Sequence, residues 1–202
     1  MASKLIVGMF VSVDGVMQAP GGPGEDESSG FRRGGWLAPF TDEEFGRIVG
    51  EWFGRANRLL LGRRTYEIMA SYWPNVPEEK GAFINDIAKC VATHRPMTAE
   101  WRNTEVLVGD AARTVADLKD RTEGVILLEG SRDLLRTLQG AGLVDEYHLL
   151  TAPVLLGEGK RLFTEGAVPE GLRLIESRAT AGGVVYTVYE AAGEPSYGTI
   201  EP

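Results

Sequence analysis

Six short apolar runs, most of them followed by a helix-patterned stretch, constrain this chain more than any other feature. They are Leu5–Val13, Arg58–Leu61, Lys89–Thr93, Glu105–Val108, Val125–Leu128 and Glu146–Leu150. Leu5–Val13 is nearly continuous in apolar residues, the pattern of a strand covered on both faces. Between the runs the period changes. Thr41 and Glu44 have the spacing of a capping box, and Phe45, Ile48, Val49, Trp52 and Phe53 then form the stripe of a buried helix face. Further helices are predicted over Arg64–Ala70, Glu78–Ile87 after Pro77, Ala112–Arg121 and Ser131–Gly140, with "SYWPNVP" as a loop. Two alternating runs close the chain, Leu172–Arg178 and Val184–Glu190, joined through Gly182–Gly183 as an antiparallel hairpin with one face buried. The order predicts an α/β fold: a mostly parallel central sheet, an antiparallel C-terminal hairpin, and helices on both faces. Ligands on such sheets bind beyond the carboxyl ends of the strands.

The 202 residues read as one domain without repeat or internal linker, ending in a tail over 193–202. One irregular segment, residues 18–36 ("QAPGGPGEDESSGFRRGGW"), is long enough to be either a functional lid or a disordered loop. A formal charge of −8 argues against nucleic acid or an anionic membrane as partner, so any basic group that matters must act locally. The single cysteine, Cys90, rules out an internal disulfide and a multi-cysteine zinc site, and it suits a reducing cytoplasm. The N-terminal run reads as a first strand rather than a signal peptide, and no stretch is long enough to span a membrane.

Three turns after apolar runs carry cations. In "LLLGRRTYE", Gly62 permits close backbone approach, and the amides of Arg63, Arg64 and Thr65 open a helix, whose N-terminus attracts phosphate. A simple glycine turn with solvated arginines is the other reading. In "KCVATHRP", His94 and Arg95 project just past Thr93, where they could hold a further phosphate or sit as an exposed loop pair. In "VILLEGSRDLLRTL", Glu129 closes an apolar strand, Gly130 turns, and Ser131 suits the N-cap of a helix with Arg132 in its first turn. Glu129 requires a partner, structural or ligand, because a bare carboxylate there would be desolvated. A long ligand with several phosphates accounts for all three turns together. His148, in an apolar strand, reads as a packed, hydrogen-bonded histidine, and neither histidine has metal-ligand spacing. P-loop, Rossmann, G-x-S-x-G and H-E-x-x-H patterns are absent.

At these residues the chain resembles the dihydrofolate-reductase-like fold, and it is most similar to the reductase domain of the riboflavin-pathway deaminase/reductase. The resemblance is carried by "VSVDGVMQAP" (11–20), "LLGRRTYE" (60–67), "KCVATHRP" (89–96), "VILLEGSRDLL" (125–135) and "GLVDEYHLLTAPVLLGEGKRLF" (142–163). It implies NADPH as cofactor. Gly62, Arg63, Arg64 and Thr65 would meet its phosphates, and Thr93, His94 and Arg95 its adenosine end. Gly130, Ser131, Arg132, Asp133 and Leu134 would cradle the pyrophosphate, Gly109 would join the set, and Asp14–Gly15 would turn over the nicotinamide. Glu129 would contact a pyrimidine-like substrate. Departures qualify this. Phe45 and Gly46 stand about where dihydrofolate reductases carry a helix carboxylate, Val16 stands where the riboflavin-pathway enzymes have Lys, and the zinc deaminase half is absent. Relatives join two glycines by a cis peptide at the turn that here reads Glu129–Gly130–Ser131.

The leading expectation is therefore a cytoplasmic, homodimeric NADPH-dependent reductase acting on a small planar heterocycle or carbonyl substrate. Glu129, or else Asp14 or a water, would supply a proton if burial raises a carboxyl pKa. Trp36, Tyr66 and Trp73 either line a substrate slot or pack ordinarily. The alternatives are a dinucleotide-binding dimer without turnover and dihydrofolate reduction itself.

Overall fold

The computed structural model describes residues 3–201; Met1, Ala2 and the last residue of the expected tail, Pro202, lie outside the described residues. The chain runs β1 (Lys4–Ser12), α1 (Glu43–Arg55), β2 (Ala56–Gly62), α2 (Arg63–Tyr72), α3 (Glu78–Asn85), β3 (Ala88–Thr93), β4 (Thr104–Val108), α4 (Ala111–Asp120), β5 (Val125–Leu128), α5 (Arg132–Gly140), β6 (Glu146–Ala152), β7 (Leu172–Ala179) and β8 (Val185–Ala191). The strands form one eight-stranded sheet in the order β4-β3-β2-β5-β1-β6-β8-β7. From β4 to β6 all pairings are parallel, and β8 pairs antiparallel with both β6 and β7.

The two-residue period of each strand assigns its side chains to two cores. Ile6, Leu59, Leu61, Val91 and Leu127 face Ile48 and Trp52 of α1, Tyr66 of α2 and Ile84 of α3. Their neighbours Leu5, Val7, Leu60, Cys90, Ile126 and Leu128 face Val115 and Leu118 of α4 and Leu134, Leu135 and Leu138 of α5. Each fully buried aliphatic side chain contributes roughly 1.5–3 kcal/mol, so burial on both sides fixes the register of the central strands.

Several expected boundaries move, for local reasons. The α1 cap is Asp42, whose Oδ1 accepts from Phe45 N at 2.8 Å; Thr41 instead donates its hydroxyl to Ala38 O. Helix α2 begins one residue early, at Arg63, and continues to Tyr72. Helix α3 stops at Asn85, two residues short of expectation. The Asn85 side chain there bridges Trp73 O and the Trp101 indole, while the carbonyls of Ile84, Asn85 and Ile87 converge on Lys89 Nζ. That ammonium is fully buried and lies 4.4 Å from the centre of the Trp101 ring; burial brings its pKa down to about 8. The terminal hairpin does not bury one face along both strands. Tyr186 and Val188 of β8 are buried, but β7 is exposed along nearly its whole length.

Candidate functional site at the carboxyl rim

Because β3, β2 and β5 are adjacent and parallel, the three cation-bearing turns emerge side by side at one rim. The first and third interlock. Gly62 N donates to Gly130 O at 3.1 Å, and Glu129 N donates to Leu60 O at 3.3 Å. A Cβ on Gly62 would stand 2.6 Å from Ser131 Oγ, and one on Gly130 would stand 2.9 Å from Thr65 Oγ1. Gly130 also has φ +75°, and the Gly130–Ser131 peptide is cis. Glycine is thus required twice by proximity and once by conformation. The result brings the N-termini of α2 and α5 together, with Ser131 Oγ capping α5 by accepting from Leu134 N at 3.4 Å.

Around this junction the predicted cofactor residues divide. The arginine pair expected to meet phosphate is engaged within the chain: Arg63 pairs with Glu67 at 2.8 Å and Arg64 with Asp26 at 2.9 Å. At the β3 exit, Thr93 Oγ1 donates to Arg95 O and accepts from Arg95 N, and Gly109 N donates to Thr93 O, so these residues hold one another. His94 and Arg95 are exposed, and among the described residues no hydrogen bond or ion pair engages their side chains. Arg132 pairs with exposed Asp133 and lines a cavity of about 290 Å³ with Gln18, Phe31 and Lys160. The Leu134 side chain is buried in the α5 core, so only its backbone belongs to the rim.

Glu129 stands at the end of β5 beside this junction. The residue is only partly covered, but its Oε1 is sealed from solvent and has no hydrogen-bond partner among the described residues. Burial pushes its carboxyl up to about 8. Asp14, the other candidate proton donor, has the opposite environment. Its carboxylate accepts from Ser12 Oγ, Leu156 N and Gly157 N and pairs with Arg161, and the Ser12 bond above all holds it down at about 2. An ionised group so held fastens the segment after β6. Gly15, with φ +81°, supports the same turn: its N–H donates to Ser12 O and its carbonyl accepts from Leu162 N.

Of the two readings of the aromatic residues, the contacts describe ordinary packing. Trp36 is buried with its indole N–H on Gln18 O, and buried Tyr66 accepts from Trp101 N. Trp73 packs edge-on to Tyr72 and Phe83. His148 is buried as expected, bonded to the Tyr186 hydroxyl at 2.7 Å and Glu146 at 3.0 Å. Among the described residues no cluster of three His, Cys, Asp or Glu side chains could hold a metal. Sequence reasoning missed Gln18, Asp26 and Lys160. Gln18 Nε2 donates to Asp26 O and Ser28 O, and its Oε1 accepts from Lys160 N. Asp26 and Lys160 are 134 positions apart, so no linear spacing could pair them.

Residues 3–186 match the family described as RibD C-terminal domain. The uncharacterized protein YyaP of Bacillus subtilis (strain 168) is 26% identical over 94% of this chain and 96% of its own. Among solved structures, a putative riboflavin biosynthesis protein from Shewanella sp. PV-4 superposes with a TM-score of 0.72 at 20% identity, covering 95% of this chain and 99% of the other. Dihydrofolate reductase from Enterococcus faecalis, complexed with NADP(H), superposes with a TM-score of 0.60 at 17% identity over the same shares. At these identities the two structures show the fold, which is dihydrofolate-reductase-like.

Proposed function

The chain belongs to the RibD C-terminal domain family, and from that premise we propose that it is an NADPH-dependent reductase of a small planar heterocycle or carbonyl compound. The observation that carries this reading is the sealed, unpartnered Glu129 Oε1 beside two interlocked helix N-termini. A polyanion and a neutral acid are accommodated by one rim. Gly62, Arg63, Arg64 and Thr65 would hold phosphate on the N-terminus of α2, and Gly130, Ser131 and Arg132 would do so on that of α5. Arg95 and His94 are free to meet a further phosphate. The cofactor supplies the hydride. The protein holds a proton at Glu129, which stays protonated through neutral pH, and orients an acceptor group toward it.

Phe45 is buried in α1, 5.6 Å from the Phe10 ring; the resemblance puts it and Gly46 at about the place of the folate-type carboxylate, which favours a substrate other than dihydrofolate. The chain would act as a homodimer. The edge strand β7 exposes Leu172, Leu174 and Ile175, a surface suited to a second copy. No described helix is long and apolar enough to cross a membrane. Titration with NADPH, followed by its fluorescence, should saturate. Pteridine, pyrimidine and quinone acceptors should then be screened by loss of NADPH absorbance. Saturation without turnover of any acceptor would leave a binding protein, and no saturation would end the cofactor assignment.

A further inference from the structure

The segment over residues 18–31 is braced against itself and holds one carboxylate, Asp26, between two cations of the rim. Glu25 Oε2 accepts from Gly21 N and Gly22 N, closing the turn, while Gln18 holds the backbone of Asp26 and Ser28. Asp26 stands at the tip of this frame. Its Oδ1 takes Ser28 N at 3.1 Å and Arg64 Nη2 at 2.9 Å, and its Oδ2 takes Lys160 Nζ at 2.6 Å. Its side chain is only 11% exposed, although its loop lies at the surface. Burial alone would raise its pKa, yet the bonds from Lys160 and Ser28 bring it down to about 2, so the group is an anion.

The two cations it joins belong to distant parts of the rim. Arg64 lies in the first turn of α2, after β2, and Lys160 follows β6. β5 and β1 lie between those strands, so the two residues follow strands three spacings apart, about 14 Å, and their side chains reach one carboxylate. Asp26 thereby ties the first turn of α2 to the segment after β6. It also satisfies Arg64, one of the arginines that a phosphate at the N-terminus of α2 would require.

Building on the proposed cofactor site, we infer that Asp26 is an intramolecular competitor for the dinucleotide phosphate, a carboxylate that occupies Arg64 until the cofactor displaces it. Phosphate entry exchanges one Arg64 ion pair for another and leaves Asp26 to Lys160 and the Ser28 amide, which frees the α2 side of the loop while the Lys160 side stays tethered. Net cofactor affinity is then set by the difference between two anions at the same guanidinium, and closure of the loop is coupled to an empty phosphate site.

The test is NADPH binding to Asp26→Asn by fluorescence titration, beside the unsubstituted protein. Removing a competitor of partly exposed ion-pair strength should lower Kd by about 3- to 10-fold. In an Arg64→Gln background the same change should have no effect, since the two residues act through one contact. In the unsubstituted protein, hydrogen exchange over residues 21–30 should accelerate on saturation with NADPH, a readout that does not depend on any variant folding. An unchanged Kd in Asp26→Asn, an equal gain without Arg64, or slower exchange over 21–30 would overturn the inference while the cofactor site stood. Failure of the unsubstituted protein to bind NADPH would instead remove the site itself.

Discussion

Replacing Glu129 with glutamine separates the chemistry of its carboxyl from its shape. In the folded protein the carboxyl titrates at about 8, against an ordinary value of 4.5. A raised carboxyl favours the folded state fully only below the unfolded value, and that advantage is lost as pH climbs through the folded one. At about 1.4 kcal/mol per tenfold change in proton activity, the loss grows from about 1 kcal/mol at pH 5 to about 3 at pH 7 and about 5 at pH 9. Glutamine does not titrate, so Glu129→Gln should lack this decline. Urea denaturation across that range should show the two proteins converging near pH 4 and the variant increasingly the more stable toward pH 9. Turnover with whichever acceptor the wild type reduces should fall by about 100-fold or more, with NADPH affinity little changed, because an amide holds no transferable proton. A stability difference independent of pH would refute the buried, protonated state. Undiminished turnover would refute the catalytic role even if the titration held.

Gly62→Ala would drive a methyl to 2.6 Å from Ser131 Oγ. Overpacking should cost about 1–3 kcal/mol in chemical denaturation and weaken NADPH binding, and Ser131→Gly in the same chain should restore much of the loss. Asp14 has the opposite sign from Glu129: its depressed pKa gives stability that is present above about 4 and lost as pH falls toward about 2. Asp14→Asn should therefore flatten the acid limb of stability and speed hydrogen exchange over residues 154–161 without abolishing turnover. Light scattering should return about twice the 21.9 kDa chain mass. A charge placed at Ile175, on exposed β7, should bring the mass back to that of one chain.

The architecture was legible along the chain, because hydrophobic period is a local property. The run Leu5–Val13 reads as a strand covered on both faces, the stripe from Phe45 to Phe53 as a buried helix face, and the alternation of strands and helices as a mostly parallel sheet. The sequence also marked the turns at Gly62, Thr93 and Glu129, since glycine, capping serine and clustered cations are legible one residue at a time. Tertiary structure alone decided what those turns do together. Strand order placed β5 beside β2 and so locked Gly62 against Ser131. Burial, which depends on the whole fold, separated Glu129 from Asp14, two carboxylates at strand ends that the linear chain ranks only by the turn-like Asp-Gly pair. Asp26 came to rest on Arg64 and Lys160 because Coulomb attraction acts through space, and no pattern along the chain records which distant charges the fold will bring within reach.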